Sequence, residues 1–189
     1  MPNVAYEPIK CVRTLSGLGF PSMERAGEVA AQTFVLGAPL VLNGGNLQEC
    51  AFGGAEIVYG VSAEPGHNLT TANTAEEGYS EGHPQNQSSG KIIPHGAWPK
   101  DGKVGVFRAD AQNVFSIALK AGQVFTQAMI GGTYGIVKDA SGYWYLDNTD
   151  QAGDNVVATV IGNDDSAPNS ITGGARVFFQ FISTLRFFK

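Results

Sequence analysis

Short apolar runs separated by glycine pairs mark the stretch between residues 32 and 66. Residues 33–36 and 39–42 each have the length of a β-strand, and Gly44-Gly45 follows where a two-residue turn would join two strands. Residues 57–61 add another strand-like run. Several short strands so close together along the chain predict the nucleus of an all-β barrel or sandwich.

The same pattern continues towards the C-terminus, where further strand-like runs are each bounded by glycine, proline or polar residues. These runs are 103–108, 114–119, 134–138, 143–147, 156–161 and 175–181. Residues 139–142 have the composition of a hairpin turn, and residues 124–130 fit either a strand or a short helix. No internal repeat is evident in the sequence. We therefore predict an all-β fold with a single domain, a barrel or a sandwich, over residues 31–189.

The first 30 residues do not have the pattern of a core and are predicted to form an N-terminal arm. Residues 9–13 alternate like an isolated strand, and Ser22 is placed to cap a short helix over residues 24–30. Two interpretations of this arm stay open. It packs on its own domain, or it crosses to a neighbouring subunit.

A long polar segment, residues 64–90, is predicted to be a loop with an exposed or partner-contacting surface, because ordinary connections run to about 4–6 residues. His67, His83 and His95 lie in or beside it and are expected to be solvated rather than metal-bound. At the other end of the chain, residues 182–189 are apolar for a C-terminus. They are expected to dock on their own barrel or on a neighbour.

Charge excludes one class of partner. The chain of 189 residues has a formal net charge of −5 and only 12 lysines and arginines, so it lacks the basic surface that nucleic-acid binding needs. No apolar run approaches the roughly 20 residues that span a bilayer, and the N-terminus does not have the pattern of a signal peptide. We expect no membrane partner, synthesis in a reducing cytoplasm, and unpaired thiols at Cys11 and Cys50.

A search for catalytic or ligand-binding motifs finds no complete one. The chain has neither a zinc-protease motif, a phosphate-binding glycine loop, nor a G-x-S-x-G nucleophile elbow. Residues 147–150 with Asp154 are rich in oxygen ligands, but they do not have the EF-hand pattern and are also ordinary turn formers. We therefore expect a protein that is not an enzyme and carries neither a cofactor nor a metal.

The aromatic run Tyr143-Trp144-Tyr145 is the one motif that suggests binding. On a strand, the two tyrosines face one side and Trp144 the other. The favoured interpretation places Trp144 in the core and the tyrosines on the surface or in an interface. The alternative is an aromatic platform for sugar rings, which Trp98 would join.

One set of runs covers residues 33–42, 45–49 and 57–66, and a later set covers residues 107–119, 134–137 with 143–147, and 175–181. Over roughly residues 30–182, and most clearly in the first set, the chain resembles the capsid decoration (cement) proteins of tailed bacteriophages. The resemblance implies a β-barrel or β-tulip subunit that forms a homo-trimer or homo-dimer on the outside of an expanded capsid. There it would bridge neighbouring subunits of the major capsid protein, after synthesis in the host cytoplasm. The family offers no catalytic residues to transfer.

A set of apolar and aromatic residues forms the candidate interface with the capsid or with other copies: Ile9, Val12, Tyr143, Tyr145, Leu185, Phe187 and Phe188. Three other functions remain as alternatives. One is a carbohydrate-binding β-module that uses Trp98, Tyr143 and Tyr145. The others are a structural protein of the phage neck or tail, and a hydrolase with an unfamiliar arrangement of catalytic residues around His95.

Overall fold

A computed structural model describes residues 8–15, 21, 23–52, 56–67, 103–164 and 175–183. This part of the chain is built from strands and one 3₁₀-helix, Gln127–Met129, so the predicted all-β fold class is confirmed. No helix in it is long and apolar enough to cross a membrane. The strands are β1 (Lys10–Thr14), β2 (Met23–Ala26), β3 (Pro39–Asn43), β4 (Asn46–Glu49), β5 (Gly60–Ser62), β6 (Val104–Arg108), β7 (Asn113–Ala118), β8 (Thr133–Lys138), β9 (Trp144–Asp147), β10 (Val156–Asn163) and β11 (Arg176–Phe181).

The strands form two antiparallel sheets rather than one closed barrel. A five-stranded sheet has the order β2-β6-β5-β3-β4, and a six-stranded sheet has the order β1-β7-β11-β10-β8-β9. Each sheet curls towards closure through a single parallel bridge. Glu28, just after β2, bridges Leu47 of β4, and Leu119, just after β7, bridges Leu146 of β9. Each sheet is therefore curved as in a barrel. Among the described residues, however, each closure is made by one bridge and not by a continuous ladder of hydrogen bonds.

One topology occurs twice in the chain. Strands β2 to β6, here called the N-terminal unit, and strands β7 to β11, here called the C-terminal unit, both follow the order first, fifth, fourth, second, third. The parallel bridge also joins the same places in both units, the end of the first strand and the third strand. Strand β1 is additional and lies against β7, the first strand of the C-terminal unit. The sequence had indicated no repeat, so this duplication becomes visible only in the strand order.

Two tight turns explain the hairpins at the centre of each unit. Gly44 and Gly45 have φ angles of 59° and 88° and join β3 to β4, which matches the type I′ turn that suits the twist of paired strands. Gly142, with φ of 87°, lies in the turn that joins β8 to β9. Both hairpins are confirmed. The buried apolar side chains of the two units merge into one cluster, whose largest fully buried members include Phe34, Leu40, Leu47, Phe115, Ile117, Leu146 and Phe179.

Three local predictions are changed by tertiary contacts. Residues 33–36 are not a strand, because the chain turns at Gly37 (φ 81°), where an added Cβ would lie 2.5 Å from the backbone nitrogen of Ile9. The helix predicted after Ser22 is wrong, since Met23–Ala26 is β2 and its backbone pairs with β6. Residues 124–130, left open between strand and helix, contain the 3₁₀-helix.

The described residues of the predicted arm lie on their own chain. Strand β1 pairs with β7 and β2 pairs with β6, so the N-terminal segment runs antiparallel to two consecutive strands. Strand β2 thereby becomes the first strand of the N-terminal unit rather than part of a separate arm. Residues 1–7, 16–20 and 22 lie outside the described part, so an arm that reaches a neighbour stays a prediction for them. The single domain over residues 31–189 also stays a prediction.

Candidate functional site

A cleft of about 550 Å³ lies between the two units. Residues 48–52, at and after the end of β4, form one wall together with Gln32. The β8–β9 hairpin forms the other wall, with Asn155 beside it. Small-molecule sites typically occupy about 300–1,000 Å³ and often lie between structural units. The size and position of this cleft therefore make it a candidate for a binding site.

Glu49 of the N-terminal unit is the polar centre of the cleft. Its Oε2 accepts a hydrogen bond from Lys138 Nζ at 2.6 Å, and its Oε1 accepts one from the Trp144 indole N–H at 3.1 Å. The backbone N–H of Glu49 donates to Gln32 Oε1 at 3.0 Å. Because Lys138 and Trp144 belong to the C-terminal unit, the Glu49 carboxylate forms two hydrogen bonds between the units.

Lys138 also contacts the aromatic floor of the cleft. Its Nζ lies 5.5 Å from the centroid of the Trp144 ring, within the range of a cation–π contact. Trp144 itself is only 2% exposed. The charges of Lys138 and Glu49 balance within the cleft, while the side chain of Lys138 remains 37% exposed and that of Glu49 remains 19% exposed. The site is therefore polar and open to solvent, and its lining has one acidic and one basic side chain.

Phe52 is held in the cleft wall by an unusual backbone. Its φ is 50°, in the left-handed region that costs a residue with a Cβ roughly 1–2 kcal/mol. Glu56 Oε2 stabilises this turn by accepting hydrogen bonds from the N–H groups of Ala51 and Phe52, at 2.9 and 2.7 Å. The Phe52 ring meets Trp144 edge-on, with centroids 5.5 Å apart and planes at 87°.

A second left-handed residue is adjacent in sequence to a residue of the cleft wall. Ala31 has a φ of 60° and immediately precedes Gln32 in the cleft wall. Ala31 and Phe52 are the two non-glycine residues with positive φ in the described part of the chain. Backbone strain of this kind concentrates at functional sites, where the surrounding structure holds it in place. The cleft wall thus contains one backbone outlier, Phe52, together with an aromatic pair and an ion pair, and the second outlier precedes Gln32 of the same wall.

Cys50 contributes to the cleft wall without adding reactivity. Burial, together with the nearby carboxylates of Glu56 and Glu49, raises the pKa of its thiol well above the ordinary value. Burial and Asp110 raise the pKa of Cys11 to about 12. Both cysteines are free, as predicted. Since the thiolate is the nucleophilic form, neither thiol has the character of a catalytic cysteine.

The aromatic run of β9 lies as the favoured interpretation placed it. Trp144 is buried, and Tyr143 and Tyr145 are partly exposed on the other face of the strand. Trp98, the proposed partner in a sugar platform, lies outside the described residues. The aromatic side chains that line the cleft are Trp144 and Phe52. The sequence analysis did not single out Phe52, because its place in the cleft wall depends on its backbone φ angle.

The candidate interface residues divide into three groups. Val12 is 39% exposed, and the two tyrosines are partly exposed, so these side chains lie at the surface. Ile9 is a correction, because it is only 3% exposed and packs in the core of its own chain beside Gly37. The remaining three lie outside the described residues: Leu185, Phe187 and Phe188.

The polar segment begins with buried residues rather than with solvated ones. His67 was expected in solvent but is 5% exposed, and its backbone N–H donates to the two carboxylate oxygens of Glu28 at 3.0 and 3.2 Å. His67 Nδ1 lies 3.3 Å from Glu28 Oε1. Sequence reasoning missed this pair because the two residues are 39 positions apart. His83 and His95 lie outside the described part of the chain.

The oxygen-rich segment that suggested calcium is a hydrogen-bonded turn. Asp147 accepts hydrogen bonds from Lys120, Gln123 and Thr149. Burial alone would raise the pKa of Asp147, but these bonds together hold it below the ordinary value. Across the described residues, no group of three or more histidine, cysteine or acidic side chains is placed to hold a metal ion.

Comparison with family models, with curated proteins and with solved structures gives no match for this chain.

Proposed function

We propose that this chain is a structural virion protein that decorates the outer surface of a tailed-phage head. It bridges neighbouring subunits of the major capsid protein and stabilises the shell, either as a homo-trimer or as a homo-dimer. The sequence resemblance to capsid decoration proteins suggests this role. The structural observation that carries the proposal is the exposed apolar surface of strand β1.

Strand β1 lies at the outer edge of the six-stranded sheet, with β7 on its inner side. A register shift between Cys11 and Arg13 places Val12 at a bulge, where its side chain is 39% exposed. Leu15, directly after the strand, is 54% exposed. Edge strands are natural places for another chain to attach, and bulges are common on them. We assign Val12 and Leu15, together called the β1 patch, to the capsid-binding surface.

A cation lies beside the β1 patch. The guanidinium carbon of Arg13 is 5.0 Å from the centroid of the Phe178 ring of β11. Arginine stacked on an aromatic ring is a frequent component of protein interfaces. The β1 patch therefore offers apolar contacts together with a positioned positive charge.

Small contacts are sufficient for this role because a shell presents many copies of the same site. Burying one exposed aliphatic side chain is worth about 1.5–3 kcal/mol. A protein that binds the assembled shell and not its free subunits shifts the equilibrium towards the shell by mass action. The stabilisation then grows with the number of occupied sites and requires no catalytic chemistry.

A binding assay with matched variants tests the proposal. Expanded heads of the phage that encodes this chain, stripped of decoration protein, are mixed with purified protein and sedimented. We expect Val12→Asp and Leu15→Asp each to weaken binding by about tenfold or more, because a charge replaces the apolar contact. The control is Ile57→Asp, which changes an equally exposed apolar residue (51%) next to β5 in the N-terminal unit.

The control should bind within about twofold of the unchanged chain. Circular dichroism melting must show that all three variants fold. If Ile57→Asp weakened binding to the heads as much as the other two substitutions do, the assignment of the binding surface to the β1 patch would be wrong. If the unchanged chain does not sediment with the heads, the decoration role itself is wrong.

A further inference from the structure

We propose that the cleft between the two units is a binding site for a neutral saccharide. The proposal concerns a different surface from the β1 patch and does not rest on the decoration role. It rests on four features of the cleft: its ion pair, its amide side chains, its aromatic wall and the left-handed backbone of Phe52.

The polar groups of the cleft match the hydroxyl groups of a sugar. Each sugar hydroxyl both donates and accepts a hydrogen bond, so it pairs best with a mixture of donors and acceptors. Glu49 supplies carboxylate oxygens, and Lys138 has three N–H donors, of which its bond to Glu49 uses one.

Three amide side chains also line the cleft. Gln32 is already bonded through both of its amide groups, whereas Gln48 accepts from Asn43 and Asn155 donates to Asp150. The NH₂ group of Gln48 and the carbonyl oxygen of Asn155 are therefore the amide groups that would pair with a sugar.

The ion pair between Glu49 and Lys138 favours a ligand without charge. Lys138 Nζ is already neutralised by Glu49 at 2.6 Å, with the indole N–H of Trp144 on the second carboxylate oxygen. An anion at Lys138 would be repelled by the adjacent Glu49 carboxylate, and a cation at Glu49 would be repelled by the adjacent Lys138 ammonium. A neutral hydroxylated ligand can instead add hydrogen bonds to the pair without separating it.

Phe52 supplies the apolar wall that a sugar ring requires. Its ring is partly exposed and rests edge-on against Trp144, while Glu56 fixes its strained backbone. A sugar ring presents C–H groups on its faces, and these pack on an aromatic side chain. Because the ring of Phe52 is already positioned, ligand binding does not have to order it, which reduces the entropic cost.

Fluorescence of Trp144 gives a direct readout of the cleft. The chain has two tryptophans, so Trp98→Phe leaves Trp144 as the one emitting indole. This variant is titrated with neutral di- and trisaccharides of glucose, galactose, mannose and N-acetylglucosamine. Isothermal titration calorimetry on the unchanged chain repeats each positive result and replaces the fluorescence assay if Trp98→Phe does not fold. We expect a saturable response to at least one of these saccharides, confirmed by calorimetry.

Two substitutions in the cleft and one outside it locate the site. Phe52→Asn removes the ring but keeps a residue that tolerates the left-handed backbone, and Lys138→Met removes the donor but keeps much of the side-chain length. Each should weaken binding by about tenfold. Lys120→Met is the matched control, because Lys120 forms a similar ion pair with Asp147 (2.5 Å) outside the cleft. It should leave the affinity within about twofold of the unchanged value.

Three results would overturn the proposal. The first is the lack of any saturable response to the neutral saccharides, and the second is a response only to acidic saccharides. The third is binding that survives both Phe52→Asn and Lys138→Met. Binding that survives both but is lost in Tyr143→Ala would place a sugar site on the outer face of β9 instead. None of these results bears on whether the β1 patch binds phage heads.

Discussion

Glu64 and Asp164 occupy corresponding positions in the two units. Each follows the fourth strand of its unit, each is buried, and each faces an arginine. Glu64 Oε1 lies 3.0 Å from Arg25 Nη1, and Asp164 Oδ2 lies 3.8 Å from Arg176 Nε. A buried carboxylate that faces an arginine therefore begins the connection between the fourth and fifth strands in both units, although Arg25 belongs to the first strand of its unit and Arg176 to the fifth strand of the other.

The buried pair of the C-terminal unit should be essential for stability. Arg176 also donates to the hydroxyl and carbonyl oxygens of Ser116, at 2.9 and 2.7 Å, and to the carbonyl of Pro8 at 2.9 Å. Arg176→Met removes these bonds and the positive charge that faces the Asp164 carboxylate. Removing one partner of a buried pair typically costs about 3–5 kcal/mol. The measurement is urea unfolding, in which the midpoint should fall while the slope stays constant.

Arg108→Met is the control for this prediction. Arg108 pairs with Glu24 at the surface, where its side chain is 45% exposed. Surface pairs contribute about 0–1 kcal/mol, so the midpoint should change little. Comparable losses in Arg176→Met and Arg108→Met would mean that the burial of the Asp164 pair does not matter.

Ile9 and Val12 make a matched test of strand β1. Ile9, just before the strand, packs in the core, whereas Val12 is exposed at the bulge. Ile9→Ala should lower the free energy of unfolding by about 2–5 kcal/mol, because it leaves a cavity. Val12→Ala should change it by about 0.5 kcal/mol or less. Chemical denaturation measures both, and a small effect of Ile9→Ala would mean that the N-terminal segment does not pack on its own chain in solution.

The buried carboxyl of Glu28 should make stability depend on pH in an unusual direction. Burial raises the pKa of Glu28 above the ordinary value of 4.5, and hydrogen bonds from His67 oppose this only in part. The folded state then holds a proton that the unfolded state has lost. Unfolding free energy must therefore fall as the pH rises from the ordinary pKa to the raised one. Glu64 and His67 are the other titratable groups that act on this carboxyl.

Glu28→Gln isolates this effect, because the amide does not titrate. The unfolding free energy of the variant minus that of the unchanged chain should increase as the pH rises above about 4.5 and then level off. Denaturation curves collected at several pH values give this difference. A difference that stays constant, or that decreases with pH, would contradict a raised pKa for Glu28.

Local sequence signals predicted the parts of the fold that depend on neighbouring residues. Gly44-Gly45 marked the β3–β4 hairpin because a type I′ turn needs two residues with positive φ. The alternation of Tyr143-Trp144-Tyr145 placed Trp144 inside, because successive side chains on a strand face opposite sides. These features require no knowledge of the rest of the chain.

The features that the sequence did not predict depend on contacts between residues that are far apart in the chain. The segment after Ser22 has a plausible helical start, but pairing with β6 makes it a strand. Lys138 meets Glu49 across 89 positions, so the cleft has no local signature. The repeated topology has the same origin, since strand order is set by which edges pair and not by the sequence of any one strand.

Electron cryomicroscopy of the intact phage particle that carries this chain tests the central proposal most directly. The account predicts density for the two curled sheets on the outer surface of the head, at junctions between major capsid protein subunits. The β1 patch should face the shell or a neighbouring copy of the chain. Density for this chain in the neck or tail, or inside the shell, would contradict the decoration role.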